Sequence, residues 1–241
     1  MKSGVKRIEL LDIARGTALI LMMVHHGMYD LIAFYGFNFP ILNTLFFFVL
    51  QFIFSGLFIF ISGSTSFFSH SNFRRGIYCL AAGLVVTAAS LIADPYEPIY
   101  FGILQMIGTS IIIFALLEKL RINITGKYSF FVWTSLFFLS YYIYRNAPFV
   151  DSPYLFIFGL TTITFTAADY FPLFPYVFLF FAGASAGRIF VRGEMPRWFY
   201  SSKPVPVVSF FGKHSIWVYL LHQPVLLILF SLIFRHPFWL K

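Results

Sequence analysis

The sequence has very little charge and almost no cysteine. Only 11% of its 241 residues are charged, whereas a soluble domain carries about 25%. Acidic residues are the scarcer of the two charged groups, with 9 Asp and Glu against 17 Lys and Arg. Cys79 is the single cysteine, so an internal disulfide is excluded. The first apolar stretch also lacks a small-residue cleavage site, so we expect no cleavable signal peptide.

Apolar residues are abundant instead. They make up 59% of the chain, and Phe alone occurs 35 times. A water-soluble fold of this size has too little interior to bury so much apolar surface, so lipid is the expected solvent. In a membrane protein an excess of basic residues indicates topology, and we therefore expect a lipid bilayer and no nucleic acid as partner.

Seven apolar segments have about the length of a membrane-spanning helix. They are residues 10–32, 41–61, 75–93, 100–117, 129–144, 174–190 and 216–234. The sequence thus predicts an all-α integral membrane protein, a polytopic helical bundle of about seven transmembrane helices. With no internal repeat or low-complexity linker, we expect a single domain over residues 1–241.

Charge alternates along the connections between these spans. Basic residues precede the first span and recur in every second connection, at Lys2, Lys6, Arg7, Arg74, Arg75, Lys119, Arg121, Lys127, Arg192, Arg197, Lys203 and Lys213. The opposite connections hold Asp30, Asp94, Glu97, Asp151 and Asp169, with Arg145 as the basic exception. Because basic loops stay in the cytoplasm, we expect a multi-pass plasma (inner) membrane protein with a cytoplasmic N-terminus.

The segment 146–172 is apolar but does not fit a simple span. Its apolar part, 153–166, is short, rich in Thr and interrupted by Gly159. We interpret it as an extracytoplasmic or re-entrant loop, which at membrane depth must be covered by protein or line a wet cavity. The alternative is an eighth span, which would move the strongly basic 188–203 region to the outside.

The first predicted span carries ionisable residues, which cost at least about 2.5–3.5 kcal/mol near the bilayer centre and usually mark function. Arg15 and His26 are eleven residues apart, close to three helical turns, and Asp30 follows His26 by four. The three therefore share a face of the helix. His25 points about 100° away, so we interpret it as a packing or helix-bridging residue.

This arrangement suits acid–base chemistry. A carboxylate at Asp30 that bonds one imidazole nitrogen of His26 would raise its basicity and leave the other nitrogen free to take a proton. Arg15 could pair with a phosphate of a substrate. The structural alternatives are that Arg15 snorkels to lipid phosphates or pairs with Asp12, and that His26 only bonds a neighbouring helix.

The last span and two loops supply further candidates. Tyr219 and His222 lie on one polar face of the last span, where the alternative is a seam of hydrogen bonds between helices. Gln105 is a weaker signal of the same kind. Arg74 and Arg75 form a basic loop that could receive the phosphates of a nucleotide-bearing donor. We expect no metal site, because ligand spacing is absent.

Four stretches of the sequence resemble segments of a known protein family. They are RIELLDIARGTALILMMVHHGMYDL, YFGILQMIGTSI, DYFPLFP and GKHSIWVYLLHQPVL. Together they resemble the heparan-α-glucosaminide N-acetyltransferase-like family of bacterial membrane proteins, over nearly the whole chain. The pair Arg15 and His26, separated by ten residues, is also similar to the broader superfamily of transmembrane acyltransferases.

The resemblance implies acyl transfer across a membrane. Acetyl-CoA would be offered from the cytoplasm, and an amine or hydroxyl, typically on a sugar, would be acetylated on the far side. The histidine of the first helix, here His26, is the implied catalytic residue, and Arg15 matches the arginine of the motif.

The sequence therefore predicts an acyl-CoA-dependent N- or O-acetyltransferase acting on a sugar-like or cell-envelope acceptor, and it leaves a homo-oligomer open. The expected site residues are His26 and Asp30 for catalysis, Arg15, Arg74 and Arg75 for acetyl-CoA, and Gln105, Asp169, Tyr219 and His222 for the acceptor. The alternative from another class is a small-solute or proton-coupled transporter with His and Asp as a proton relay. A non-catalytic scaffold would not need ionisable residues at that depth.

Overall fold

The computed structural model describes residues 7–93 and 97–235, and every regular element in these ranges is a helix. Helices make up 73% of these residues, and no strand occurs among them. The predicted all-α fold is therefore confirmed. Lys2, Lys6 and Asp94, which the charge pattern assigns to connections, lie outside the described residues.

Nine α-helices lie in the described ranges. They are α1 (Glu9–Tyr35), α2 (Leu45–Phe67), α3 (Asn72–Ala93), α4 (Ile103–Lys119), α5 (Ser129–Arg145), α6 (Leu173–Val191), α7 (Arg197–Tyr200), α8 (Pro206–Lys213) and α9 (Ser215–Phe234). Short 3-10 helices occupy Pro40–Asn43 and Leu155–Phe158. Helix α1 stops at Gly36, whose φ of 68° lies in the left-handed region that favours glycine at a helix end.

Five of these helices, α1, α2, α3, α6 and α9, are long and apolar enough to cross a membrane. Helices α4 and α5 have 17 residues each, somewhat under the usual length of about 20. All seven predicted spans coincide with these seven helices. The largest difference is at α2, which ends at Phe67 rather than at residue 61. The chain is a polytopic helical membrane protein, and a count of seven crossings stays a prediction.

The segment 146–172 contains no α-helix, only the 3-10 turn Leu155–Phe158. Two contacts organise it. The hydroxyl of Tyr170 donates to the carbonyl of Phe156, and the N–H of Val150 donates to the carbonyl of Thr161 at 3.0 Å. The segment is thus a structured loop, and among the described residues it supplies no eighth long helix.

The described residues group into two compact units. The terminal unit comprises residues 7–58 and 196–235, and the central unit comprises residues 59–195. In the central unit, α3 packs on α4, α5 on α6, and α4 on α6. Small residues permit this packing: a Cβ at Gly108 would lie 2.6 Å from the backbone nitrogen of Leu80, too close for any side chain.

In the terminal unit, α1 packs against α8 and α9. Helices α1 and α9 run in parallel, because the residues that pair across them rise together in number, from His26 with His222 to Tyr35 with Ser231. Large apolar side chains such as Leu45 and Leu232 remain exposed, as expected where lipid is the solvent. The polar face predicted for the first span therefore turns toward α8 and α9.

Candidate functional site

The centre of the site is a pair of imidazoles, one from α1 and one from α9. Nδ1 of His26 lies 2.8 Å from Nε2 of His222, and the two ring centroids are 5.0 Å apart. His222 is 8% exposed. Two neutral imidazoles can share one hydrogen bond only if one nitrogen donates and the other accepts, so each ring constrains the tautomer of the other.

The direction of that hydrogen bond follows from a third contact. Nδ1 of His222 lies 2.5 Å from the carbonyl oxygen of Tyr219. A carbonyl oxygen only accepts, so Nδ1 of His222 carries the proton and its Nε2 carries a lone pair. Nδ1 of His26 must then donate to that lone pair. With both rings neutral, Nε2 of His26 is left with an unprotonated lone pair, and no other described residue bonds it.

The backbone carbonyl of Tyr219 in α9 is the last acceptor in this series of hydrogen bonds. Pro224 lies inside α9 and has no N–H, so the sequence predicts a freed carbonyl at Leu220. The carbonyl that takes the imidazole is one residue earlier, at Tyr219. Tyr219 is itself buried, with its ring centroid 5.4 Å from that of His222. Of the two residues predicted to bind the acceptor, His222 thus contacts His26 directly, and Tyr219 contacts His222.

Asp30 has a different partner from the one expected. Its Oδ1 accepts a hydrogen bond of 2.8 Å from Nε2 of Gln223, whereas His26 is bonded by His222. The expectation that Asp30 holds His26 is therefore corrected. The physical reason is that α9 offers two consecutive polar side chains, His222 and Gln223, one for each of the two polar residues of α1.

His25 occupies a packing position. Its ring stacks on Phe47 with centroids 5.5 Å apart and lies 6.4 Å from the ring of Phe54. Both aromatic residues belong to the first half of α2. His25 also lies next to His26, with ring centroids 5.6 Å apart. Helical geometry predicts this turn away from the face that meets α9.

A cluster of charged groups lies at the beginning of α1. NH1 of Arg15 is 3.7 Å from Oδ1 of Asp12 and 3.5 Å from the carbonyl oxygen of Gly212. Arg7 also pairs with Asp12, at 2.5 Å, and this hydrogen bond raises the pKa of the Arg7 guanidinium. The Arg15 side chain is only 13% exposed. The structure thus shows the pairing with Asp12 that the sequence offered as the alternative role of Arg15.

Close contact between α1 and α8 brings this cluster together. A Cβ at Gly16 would overlap the backbone carbonyl of Val208, and a Cβ at Gly212 would overlap that of Asp12. The two helices touch through their backbones at these points. Lys213, the residue after Gly212, reaches Glu9 with its Nζ 2.9 Å from Oε1. The basic end of α8 is therefore held beside the start of α1.

A groove of about 350 Å³ runs along α9 beside the imidazole pair. Its walls include Met23, Trp217, Leu221 and the ring of His222, and His214 lies at one end. Trp217 and Leu221 are largely exposed. The groove thus joins the start of α9 to one of the two paired imidazoles.

The candidates of the central unit take part in local structure. Oε1 of Gln105 accepts from the N–H of Gly102 at 2.8 Å, and its Nε2 donates to Thr87 at 3.1 Å. Oδ2 of Asp169 accepts from the N–H of Ile103 at 3.4 Å. Both side chains satisfy backbone donors at the beginning of α4, which a helix terminus requires. This matches the interhelical role that the sequence offered for Gln105.

Arg74 and Arg75 were predicted in a loop, but both lie in the first turn of α3, because that helix begins at Asn72. Each has a local partner. Nε of Arg74 donates to the hydroxyl of Tyr78 at 2.9 Å, and its guanidinium lies 5.3 Å from the centre of that ring. NH1 of Arg75 donates to Oδ1 of Asn72 at 3.2 Å. Arg74 is exposed, and Arg75 is half-buried.

In the ranges 7–93 and 97–235, no group of three or more His, Cys, Asp or Glu side chains could hold a metal ion.

Sequence reasoning did not single out two of the contacts that build the site. Gln223 appears in the sequence as one more polar residue of α9, and its bond to Asp30 needs the register of α9 against α1. The carbonyl of Tyr219 carries no signal in its side chain. The available signal was that His222 and Gln223 are two consecutive polar residues in a largely apolar helix.

Comparison with known protein families identifies the chain. It matches the family described as heparan-alpha-glucosaminide N-acetyltransferase, catalytic, over residues 7–224. The chain belongs to this family. Membership indicates a membrane acetyltransferase, and it confirms the resemblance found in the sequence. No curated protein and no solved structure matched the chain in the other two comparisons.

The part that matches the heparan-alpha-glucosaminide N-acetyltransferase family contains the whole polar site of the terminal unit. Residues 7–224 begin at Arg7 of the charged cluster and extend through His222 and Gln223 of α9. Both imidazoles and the Asp30–Gln223 pair thus belong to the family region.

Proposed function

We propose that this protein transfers an acetyl group from acetyl-CoA to an amine or hydroxyl of a sugar-like acceptor, with His26 as the general base. The observation that carries the proposal is the bond from Nδ1 of His26 to His222, which leaves a lone pair on Nε2 of His26. A general base needs one nitrogen held by a partner and the other free for the proton it removes. Family membership supplies the reaction class.

In the proposed reaction, one base is enough to move the single proton that changes place. Nε2 of His26 takes the proton from the acceptor nitrogen or oxygen as that atom forms a bond to the acetyl carbonyl carbon. The bond between the acetyl carbon and the CoA sulfur breaks, and the sulfur takes the proton back from His26. The products are the acetylated acceptor and free CoA thiol. A positioned imidazole of this kind contributes about 10²–10⁴-fold to a rate.

His222 is proposed as a positioning residue. Its Nε2 accepts the Nδ1 proton of His26, which fixes the orientation of the ring and stabilises the imidazolium that forms when Nε2 is protonated. Tyr219 acts one step further away through its carbonyl. In this proposal the predicted roles of Tyr219 and His222 toward the acceptor become roles toward the base.

The donor is proposed to bind through its phosphates near the start of α1. Arg7, Arg15 and Lys213 outnumber the two carboxylates that they pair with there, Asp12 and Glu9, so the cluster keeps an excess of positive charge. Phosphates bind well to guanidinium groups. Arg15 and His26 are about 16 Å apart along the helix, so a long thioester arm would connect them. The charge alternation supports a cytoplasmic position for this end, with the acceptor on the far side of the plasma membrane.

Four predicted residues stay predictions. Arg74 and Arg75 belong to the central unit, as do Gln105 and Asp169. Their local hydrogen bonds do not exclude a second role toward donor or acceptor. Single alanine variants of each, assayed for the Michaelis constants of acetyl-CoA and of the acceptor, would assign them.

The test of the proposed function compares two adjacent histidines. The purified protein in liposomes receives labelled acetyl-CoA and a panel of amino sugars, and both acetyl transfer and CoA release are measured. We expect His26→Ala to lose at least about 10²-fold in kcat and His25→Ala, the matched control, to retain transfer in whatever fraction folds. Full activity in His26→Ala would remove the base from the mechanism, and inactivity of the wild type toward acetyl-CoA would remove the proposed function.

A further inference from the structure

One buried carboxylate oxygen of the terminal unit has no partner. Asp30 is 2% exposed, and its Oδ1 is bonded by Gln223. Its Oδ2 is buried without a hydrogen-bond partner among the described residues. A buried carboxylate oxygen without a donor is costly, so this atom needs an explanation.

We infer that Oδ2 of Asp30 binds a hydroxyl or ammonium group of the acceptor and so determines which acceptors the enzyme uses. The inference rests on the proposed function, and it gives one residue a role in the choice of acceptor. A carboxylate accepts hydrogen bonds and repels anions. The acceptor is therefore a polar molecule with a second donor group beside its nucleophile, as in an amino sugar, and a carboxylate at that position is excluded.

The position of Asp30 relative to the base supports this assignment. Asp30 follows His26 by one helical turn on the same face of α1, about 6 Å along the axis. Their partners, His222 and Gln223, are consecutive in α9. A molecule that reaches both Oδ2 of Asp30 and Nε2 of His26 thus needs at least two polar groups.

Gln223 makes the carboxylate selective without neutralising it. Its amide donates to Oδ1 and fixes the rotation of the carboxylate, yet it brings no positive charge. Among the described residues, no cation forms an ion pair with Asp30. Oδ2 of Asp30 therefore remains available to a donor group of the ligand, and a charge-assisted bond to a carboxylate is stronger than a neutral one.

The experiment replaces Asp30 and measures each substrate separately. In Asp30→Asn we expect the KM for glucosamine to rise about 10- to 100-fold, the loss of one charge-assisted hydrogen bond. The KM for acetyl-CoA should stay within about twofold of the wild type. Gln223→Ala, which keeps the carboxylate but frees its rotation, should raise the same KM by a smaller factor. The control is Glu194→Gln, which removes an exposed carboxylate paired with Arg192.

A binding measurement separates this inference from the proposed function. Glucosamine should raise the unfolding temperature of His26→Ala but not that of the double variant His26→Ala/Asp30→Asn. Equal protection of the two proteins, or an unchanged KM in a folded Asp30→Asn, would overturn the inference. If the wild type neither transfers nor hydrolyses acetyl-CoA while protection still depends on Asp30, the binding site stands and the proposed function fails.

Discussion

His26 donates the proton of its Nδ1 to Nε2 of His222 across 2.8 Å, and the carbonyl of Tyr219 decides that direction. The bond joins residues 196 positions apart in the sequence. The tautomer of His26 in α1 is therefore set by a backbone carbonyl of α9, through the side chain of His222.

This relationship predicts a graded loss at His222. The variant His222→Phe keeps an aromatic ring but offers no acceptor to Nδ1 of His26, so we expect kcat to fall about 10- to 100-fold, less than on removal of the base. His222→Gln supplies a carbonyl oxygen that can accept the same proton, and it should recover part of the loss. Steady-state acetyl transfer measures both. If Gln were no better than Phe, the hydrogen bond would not be the cause.

A second prediction concerns the donor. Arg15→Ala should weaken CoA binding about tenfold or more, because a guanidinium–phosphate pair contributes about 1.5–3 kcal/mol. Calorimetric titration with CoA at two salt concentrations measures this, and binding should weaken as salt screens the exposed Arg7 and Lys213. The matched control is Arg145→Ala, an exposed arginine predicted on the opposite side. Equal affinity in wild type and Arg15→Ala would restrict Arg15 to its pairing with Asp12.

A third prediction concerns stability where α1 meets α8. Gly16→Ala adds a methyl group that overlaps the backbone carbonyl of Val208, so we expect a loss of about 1–3 kcal/mol. Gly27→Ala is the control in the same helix, since its Cβ would lie 3.5 Å from the nearest atom of Phe230, an ordinary contact. Thermal unfolding in detergent should separate the two variants. Equal unfolding temperatures would show that the helices can move apart at no cost.

A fourth prediction concerns orientation. In a Cys79→Ser background, Glu97→Cys should react with an impermeant thiol reagent added to intact cells, and Arg197→Cys should react only after the cells are opened. The reason is that basic connections remain in the cytoplasm. Labelling of Arg197→Cys from outside would contradict the seven-span topology and restore the alternative with eight spans.

The sequence predicted the helices well because each helix corresponds to one apolar segment, whose length is visible in the sequence alone. All seven expected spans coincide with helices, and the departures are confined to ends, as at the longer α2. The shared face of Arg15, His26 and Asp30 was also predictable, since helical geometry alone places residues three turns apart on one side. Predictions of this kind need only the residues of one helix.

What the sequence could not provide was the pairing between elements. The sequence predicts Asp30 as the partner of His26 because both lie on one face of α1. In the structure, α9 supplies a separate partner for each residue: His222 bonds His26, and Gln223 bonds Asp30. Likewise, Gln105 gives no sign in the sequence that its amide donates to Thr87 of α3. Such choices depend on register, which is a property of two helices together.

The contact between His222 and the carbonyl of Tyr219 also limits where protons can go. A proton taken up at Nε2 of His26 can shift along the pair as far as His222, but the carbonyl beyond it cannot be protonated and pass the proton on. Among the described residues, the path for this proton therefore ends at His222. A carrier driven by a proton gradient needs a continuous path from one side of the bilayer to the other. An enzyme that takes a proton from its substrate and returns it to the leaving group needs only the one nitrogen that accepts it.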